Sequence, residues 1–317
     1  MRNTMPGHTQ QAAEIIDIEG WRPDDQFPTY PEGTREKSMW ISPQSSPVSF
    51  LMGGHRYLFK HASHRYPTQF WCEVIAYRIG CLMGIPVPPA YAAWKSSSQQ
   101  SAALIEWFYR ADEEVRYESG TVHMKRMIPD FDVKKGRQHN IETLLTILAG
   151  IDEKLILDMT KILVFDAAIG NTDRHQENWG ILWRGDPPRP ELAPAFDNGT
   201  SLGHEIMDDK IPDFLSSPMK IAHYIDKGQH HMRRTSTGSE GKCGHFELVA
   251  WLLDQYPESR RDLCQCLEFD RDGMNTWLAA LPNFAIPDAP TPERIQFIER
   301  LLHFRMERLH AVLTRRD

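Results

Sequence analysis

Residues 170–182 read Gly-Asn-Thr-Asp-Arg-His-Gln-Glu-Asn-Trp-Gly-Ile-Leu, a polar loop that runs into an apolar strand. Inside it Asp173 and Asn178 stand in a D-x-x-x-x-N relation. An aspartate so placed accepts the hydrogen bond of an attacking hydroxyl, and the asparagine turns back toward a metal ion on phosphate oxygens. Hard oxygen donors of this kind suit magnesium, which keeps several of its waters. Asn171 and His175 are assigned to shaping the loop; a histidine two residues past the aspartate reads as a brace rather than as the base. The apolar side Leu155, Met159, Ile162, Leu163 and Ile169 predicts a helix over 153–169 that delivers the loop.

Downstream, a strand pair around the turn RGDPPRP ends in Phe196-Asp197-Asn198-Gly199. A carboxylate at a strand end supplies a second metal ligand, as the D-F-G aspartate does, and Gly199 is expected to permit the change of direction. Upstream, Lys60 ends the strand RYLFK, and Glu73 lies on a helix predicted over 68–83 with Gly84 as its stop. A strand lysine that holds phosphates and is oriented by a helix glutamate belongs to the same chemistry. Lys60, Glu73 and Asp173 are therefore the catalytic candidates, and Asn178 and Asp197 the metal ligands, with ATP and Mg2+ as cofactors.

The distribution of elements gives the architecture. Residues 1–40 read as a loosely structured lead-in. Residues 41–128 hold strand-like runs: VSFLM and RYLFK around a Gly53-Gly54 hairpin turn, then AYAAW, SAALIEWFY and TVHMKRMI. Residues 129–317 turn helical and close with a helix over 292–314. The expectation is an α+β fold of two lobes, a small strand-rich N-lobe and a larger helical C-lobe. Lys125 and Met127, in the last strand candidate, are placed against the cofactor. No G-x-G-x-x-G occurs; the corresponding stretch is Ser42–Ser49, where Ser45, Ser46, Ser49 and backbone amides are expected to cradle phosphate. Ser42, Ser45, Ser46 and Ser49 are also candidate autophosphorylation sites, since added negative charge there repels nucleotide.

The blocks YLFK, FWCEVIAYRIGCLMGI, ILVFDAAIGNTDRHQENWGIL and LAPAFDNGTSLG resemble the HipA-like kinase family, a bacterial branch of the protein-kinase fold. The resemblance spans about residues 40–210. It implies a two-lobed protein-kinase-like fold and serine/threonine kinase activity, often with autophosphorylation. In many members it also implies the toxin of a toxin–antitoxin pair, with an antitoxin or regulatory protein as partner and a translation enzyme as protein substrate. Because the match starts near residue 40, the additional N-terminal subdomain of longer members is expected to be absent. Phosphoinositide kinases use a similar Asp-Arg-x-x-x-Asn loop, so phosphorylation of a lipid or small molecule is the competing reading. A catalytically silent nucleotide-binding module is a third.

Bulk properties fit a soluble kinase. The 317 residues carry a formal net charge of −7, which argues against direct nucleic-acid binding. No signal-like start and no apolar run long enough to span a membrane occur. Five cysteines without a C-x-x-C pair read as reduced thiols of a bacterial cytosol, although secreted effectors share the motifs. His230, His231, Cys243 and His245 match no standard zinc spacing. Residues 199–220, after the metal-binding turn, are expected to form a mobile activation segment.

Overall fold

The computed structural model describes residues 8–24, 37–45, 48–61, 65–134, 136, 138–235 and 241–315. Its N-lobe is a six-stranded sheet built from β1 (Ile16–Asp17), β2 (Arg22–Pro23), β3 (Lys37–Ile41), β4 (Arg56–His61), β5 (Ala90–Lys95) and β6 (Gln100–Glu106). The order across the sheet is β1-β5-β6-β4-β3-β2. β3 and β4 pair antiparallel with Lys37 opposite Lys60 and Trp40 opposite Tyr57. β1 joins the far edge parallel to β5.

One helix, α1 (Trp71–Met83), lies on this sheet and is buried around most of its circumference. Cross-strand partners Ala92 and Ala103 are small, so the helix settles close against the strands. Their neighbours Ala93 and Ala102 point to the opposite face, where Tyr57, Phe59, Tyr91 and Leu104 form a second core. Gly84, at φ 67°, closes α1 in the left-handed conformation that a side chain would disfavour.

Beyond β6 the chain crosses to a three-stranded sheet of β7 (Val115–Ser119), β8 (Gly180–Arg184) and β9 (Arg189–Leu192), in that order. The helices α2 (Gly120–Met127), α3 (Ile141–Ile151) and α4 (Lys154–Ile169) intervene between β7 and β8. After β9 come α5 (Ile211–Leu215), α6 (Pro218–Lys227), α7 (His245–Gln255), α8 (Arg260–Gln265), α9 (Arg271–Ala280) and α10 (Pro292–Thr314). The large core gathers α3, α4, α7, α9 and α10 around Leu148, Leu163, Phe165, Leu252 and Met306. The arrangement is an α+β fold with a strand-rich first part and a helix-rich second.

Several local expectations change. The lead-in is not loose throughout: Ile16, Ile18 and Trp21 are buried, and Trp21 packs edge-on to Tyr57 at 5.7 Å. VSFLM forms turns rather than a strand, because Val48, Phe50 and Leu51 cap the second core and Tyr57 Oη accepts from Met52 N at 2.8 Å. The connection from β3 to β4 therefore starts after Ile41 and ends before Arg56. TVHMKRMI is helix α2, not a strand: Gly120, His123 and Met124 are its buried residues, a spacing of helical period. The segment after the Asp197 turn folds into short helices, with Ile211, Ile221 and Ile225 packed on Phe297 and Leu301 of α10.

Candidate active site

The two ends of the site come from different lobes. Lys60, buried on β4, donates to Glu73 Oε1 at 2.6 Å and to Asp197 Oδ1 at 2.5 Å. Glu73 stands in the first turn of α1, and its second oxygen accepts the Asn198 backbone N–H at 2.9 Å. One helix carboxylate thus holds both the N-lobe lysine and the backbone of the turn after β9. A buried lysine and glutamate with these partners satisfy the rule that interior charges are paired and hydrogen-bonded.

The left-handed residue of this turn is Asp197 itself, at φ 57°, rather than Gly199. Aspartate tolerates that conformation better than most side chains, and its bond to Lys60 holds it there. Gly199 contributes differently, its carbonyl accepting from Gln69 Nε2 at 3.0 Å.

The loop between α4 and β8 is organised by groups that sequence spacing alone did not identify. Arg174 is fully buried and donates through Nε to Asp166 Oδ2 at 3.0 Å and through a terminal nitrogen to Asp166 Oδ1 at 2.7 Å. The same guanidinium donates to Asn198 Oδ1 at 2.8 Å, to the Asn178 carbonyl at 3.2 Å and to the Phe196 carbonyl. One side chain therefore ties the Asp173 loop to the Asp197 turn. Burial pushes the Asp166 carboxyl up, but Arg174 and His230 outweigh it and hold Asp166 below its ordinary value.

Asn171 donates its side-chain amide to Asp166 at 3.3 Å and accepts the Asp173 backbone N–H at 3.0 Å, the shaping role expected of it. His175 Nδ1 accepts from the Glu177 backbone N–H at 3.2 Å. Asn178 commits its amino group to the Asp173 carbonyl at 2.8 Å, which leaves the oxygen end of the amide for other contacts. Asp173 is half-buried and is not among the side chains that line the adjoining cavity.

That cavity has a volume of about 590 Å³, and its walls come from both lobes. Lys60, Asn178 and Asp197 are all on its lining. Leu58, Ile105, Trp107, Phe108, Tyr117 and Phe196 make it apolar elsewhere. Phe108 stacks on Phe196 at 5.5 Å and Tyr117 meets Phe196 edge-on at 6.4 Å, so an aromatic layer lies directly before Asp197. The lobe crossing follows β6, where Pro89 accepts from Glu106 N at 2.8 Å and, being proline, has no N–H with which to continue the ladder.

The predicted cofactor contacts divide. Lys125 lines the cavity from α2, whereas Met127 is 49% exposed and is not on the lining. Ser42 is buried, donating to the Met52 carbonyl at 2.6 Å and accepting from His55 N at 3.0 Å. Ser45 and Ser49 are exposed and off the cavity lining, and Ser46 lies outside the described residues. A further lysine on the lining is Lys37, the cross-strand partner of Lys60. That pairing requires the β3–β4 register, which sequence spacing did not give.

Among the described residues, no group of three or more His, Cys, Asp or Glu side chains is arranged to hold a metal ion. His230 instead meets Asp166 at 3.3 Å and His245 Nε2 meets the Asn171 carbonyl at 2.7 Å, both bracing the loop from behind. Burial, and then Arg305, push His245 down to about 3.

Two lobes, a buried lysine–glutamate pair in the first and a polar loop and turn that reach one cavity define a protein-kinase-like fold. The chain belongs to the family of the HipA-like C-terminal domain, whose model matches residues 31–251. No curated protein matches the sequence. The Helicobacter pylori proinflammatory kinase CtkA is similar over 95% of this chain and 97% of its own, at a TM-score of 0.72 and 17% identity. HipA of Shewanella oneidensis MR-1, solved with HipB and operator DNA as a toxin–antitoxin system, is similar over 96% of this chain and 76% of its own. That pair has a TM-score of 0.57 and 13% identity.

Proposed function

We propose that this chain transfers the terminal phosphoryl group of ATP, with Mg2+, to a serine or threonine hydroxyl of a protein. The observation that carries the reading is the convergence of Lys60, Asn178 and Asp197 on one interlobe cavity, with Glu73 holding Lys60 from behind. The donor set fits the cofactors. The amide oxygen of Asn178 and the carboxylate of Asp197 are hard ligands of the kind magnesium takes. A single lysine between two carboxylates leaves a negative centre that a divalent ion offsets. The cavity volume falls within the range of small-molecule sites, and the aromatic layer of Phe108, Tyr117 and Phe196 suits a planar base.

In this reading Lys60 binds phosphate oxygens and Glu73 keeps it extended toward them. Asp173 accepts the hydrogen bond of the incoming hydroxyl and orients it. Bound magnesium neutralises charge on the phosphates during transfer. Arg174 fixes the loop and turn relative to each other, and the aromatic and aliphatic walls exclude water. Family membership and the CtkA and HipA likenesses support a kinase acting as a toxin or effector, with an antitoxin-like protein as partner. No helix among the described residues is long and apolar enough to cross a membrane, which accords with a cytosolic site of action.

Incubating purified protein with γ-labelled ATP and Mg2+, alone and with cell lysate, tests the proposal. Labelled protein is expected, and Asp173→Ala or Asp197→Ala is expected to lower turnover by at least about 10²-fold. Label appearing only in lipid or small molecules, or equal label from the Asp173→Ala variant, would overturn it.

A further inference from the structure

Gln10 is a buried polar residue in a segment that takes no part in the cavity, and its side chain is fully used. Its amide oxygen accepts the Ala92 backbone N–H at 2.7 Å, and its amino group donates to the Ala92 carbonyl at 2.9 Å. The side-chain amide thereby imitates one residue of a neighbouring strand at β5. The strand β1 continues the attachment, with Ile16 paired to Ala93 and Asp17 to Trp94. The other attachment runs to the C-lobe: the indole N–H of Trp277, on α9, donates to the Gln10 backbone carbonyl at 3.3 Å. A single residue therefore joins a sheet of the N-lobe to a helix of the C-lobe.

We infer that Gln10 is a positioning residue for the proposed phosphoryl transfer, the joint of a strap that sets how the N-lobe sheet sits over the C-lobe. The inference rests on the kinase reading for its functional consequence. Lys60 belongs to the strapped sheet, whereas Asp197 follows β9 and is tied to the C-lobe loop through Arg174 and Asn198. Their contact crosses the lobes and so depends on lobe angle. A looser angle leaves Lys60 in its phosphate-binding position for only a fraction of the time, which weakens nucleotide binding by that fraction. At Gln10 the strap acts in series, β5 to the side chain and then the carbonyl to Trp277, while β1 keeps a separate hold on β5 further along. Cutting either link releases the constraint that runs through Gln10, so cutting both adds nothing further.

Series connection gives a signature that ordinary loss of stability lacks, because independent destabilisations add. Gln10→Ala cuts the first link and Trp277→Phe removes the N–H of the second while keeping an aromatic ring. Spin labels on one exposed residue of each lobe report interlobe distance without nucleotide. Each single variant is expected to broaden the distance distribution and to raise KM for ATP about fivefold with kcat within about twofold. The double variant is expected to match the single ones in both readouts. Unchanged distances in both single variants, or effects that add in the double variant, would overturn the strap. Broadened distances in a protein that neither binds nor turns over ATP would refute the kinase reading while leaving the strap intact.

Discussion

Replacing Arg174 with methionine removes the buried cation that ties the Asp173 loop to the Asp197 turn. The consequence follows from its partners. Asp166 loses two charge-assisted bonds, at 2.7 and 3.0 Å, and keeps two longer ones at 3.3 Å from Asn171 and His230. Asn198 Oδ1 and the carbonyls of Asn178 and Phe196 lose a donor together. Breaking one side of a buried ion pair costs about 3–5 kcal/mol, because the remaining charge stays desolvated. A loss of that size corresponds to a fall in Tm of roughly 10 °C. Urea denaturation followed by fluorescence, with unchanged slope, measures it. Adding Asp166→Leu removes the orphaned carboxylate and is expected to restore most of the stability. It is not expected to restore turnover, since the Asn178 and Phe196 carbonyls still lack their tether. A loss below about 1 kcal/mol in Arg174→Met would refute the reasoning.

Three further outcomes follow from the same structure. Burial holds His139 well below its ordinary pKa and pushes His231 and His245 down to about 3. Between that level and the unfolded value near 6.5 the unfolded chain binds more protons, so stability is complete above about pH 6.5 and falls on acidification, by up to about 1.4 kcal/mol per pH unit for each histidine. Denaturation midpoints measured from pH 7.5 to 4.5 check the sign, and a flat profile would contradict it. Gly120→Ala drives a methyl to 2.2 Å from the Trp179 ring and is expected to cost about 1–3 kcal/mol, whereas Gly150→Ala, with nothing within 4 Å on an exposed helix face, gains up to about 1 kcal/mol. Thermal melts of the pair separate the two. Mass spectrometry after incubation with ATP is expected to find Ser42 unmodified, because its hydroxyl is buried and bonded on both sides.

Spacing along the chain was enough to name residues that the fold brings to one cavity. Asp173 and Asn178 lie in one short loop, Lys60 sits near the end of a strand whose apolar pattern is plain, and Asp197 follows the strand pair β8–β9. The helix stop at Gly84 was equally readable, because a left-handed residue after an apolar helix has a strong local cause. Where local preference and tertiary packing disagreed, the reading failed. Thr121 and Val122 favour a strand, yet burying His123 and Met124 together demands a helix. Val48, Phe50 and Leu51 look like a strand and instead plug the end of a core.

The sequence by itself determined the residue types of the site, their order and the two-part α+β division, since each depends on short-range periodicity and turn chemistry. Tertiary structure alone decided that Lys37 faces the cavity beside Lys60, and that Arg174 binds both the loop and the turn. It also decided that Gln10 joins the lobes. Those facts rest on strand register and on partners far apart in the chain, and a buried polar group finds its partner only once the surrounding core has excluded water.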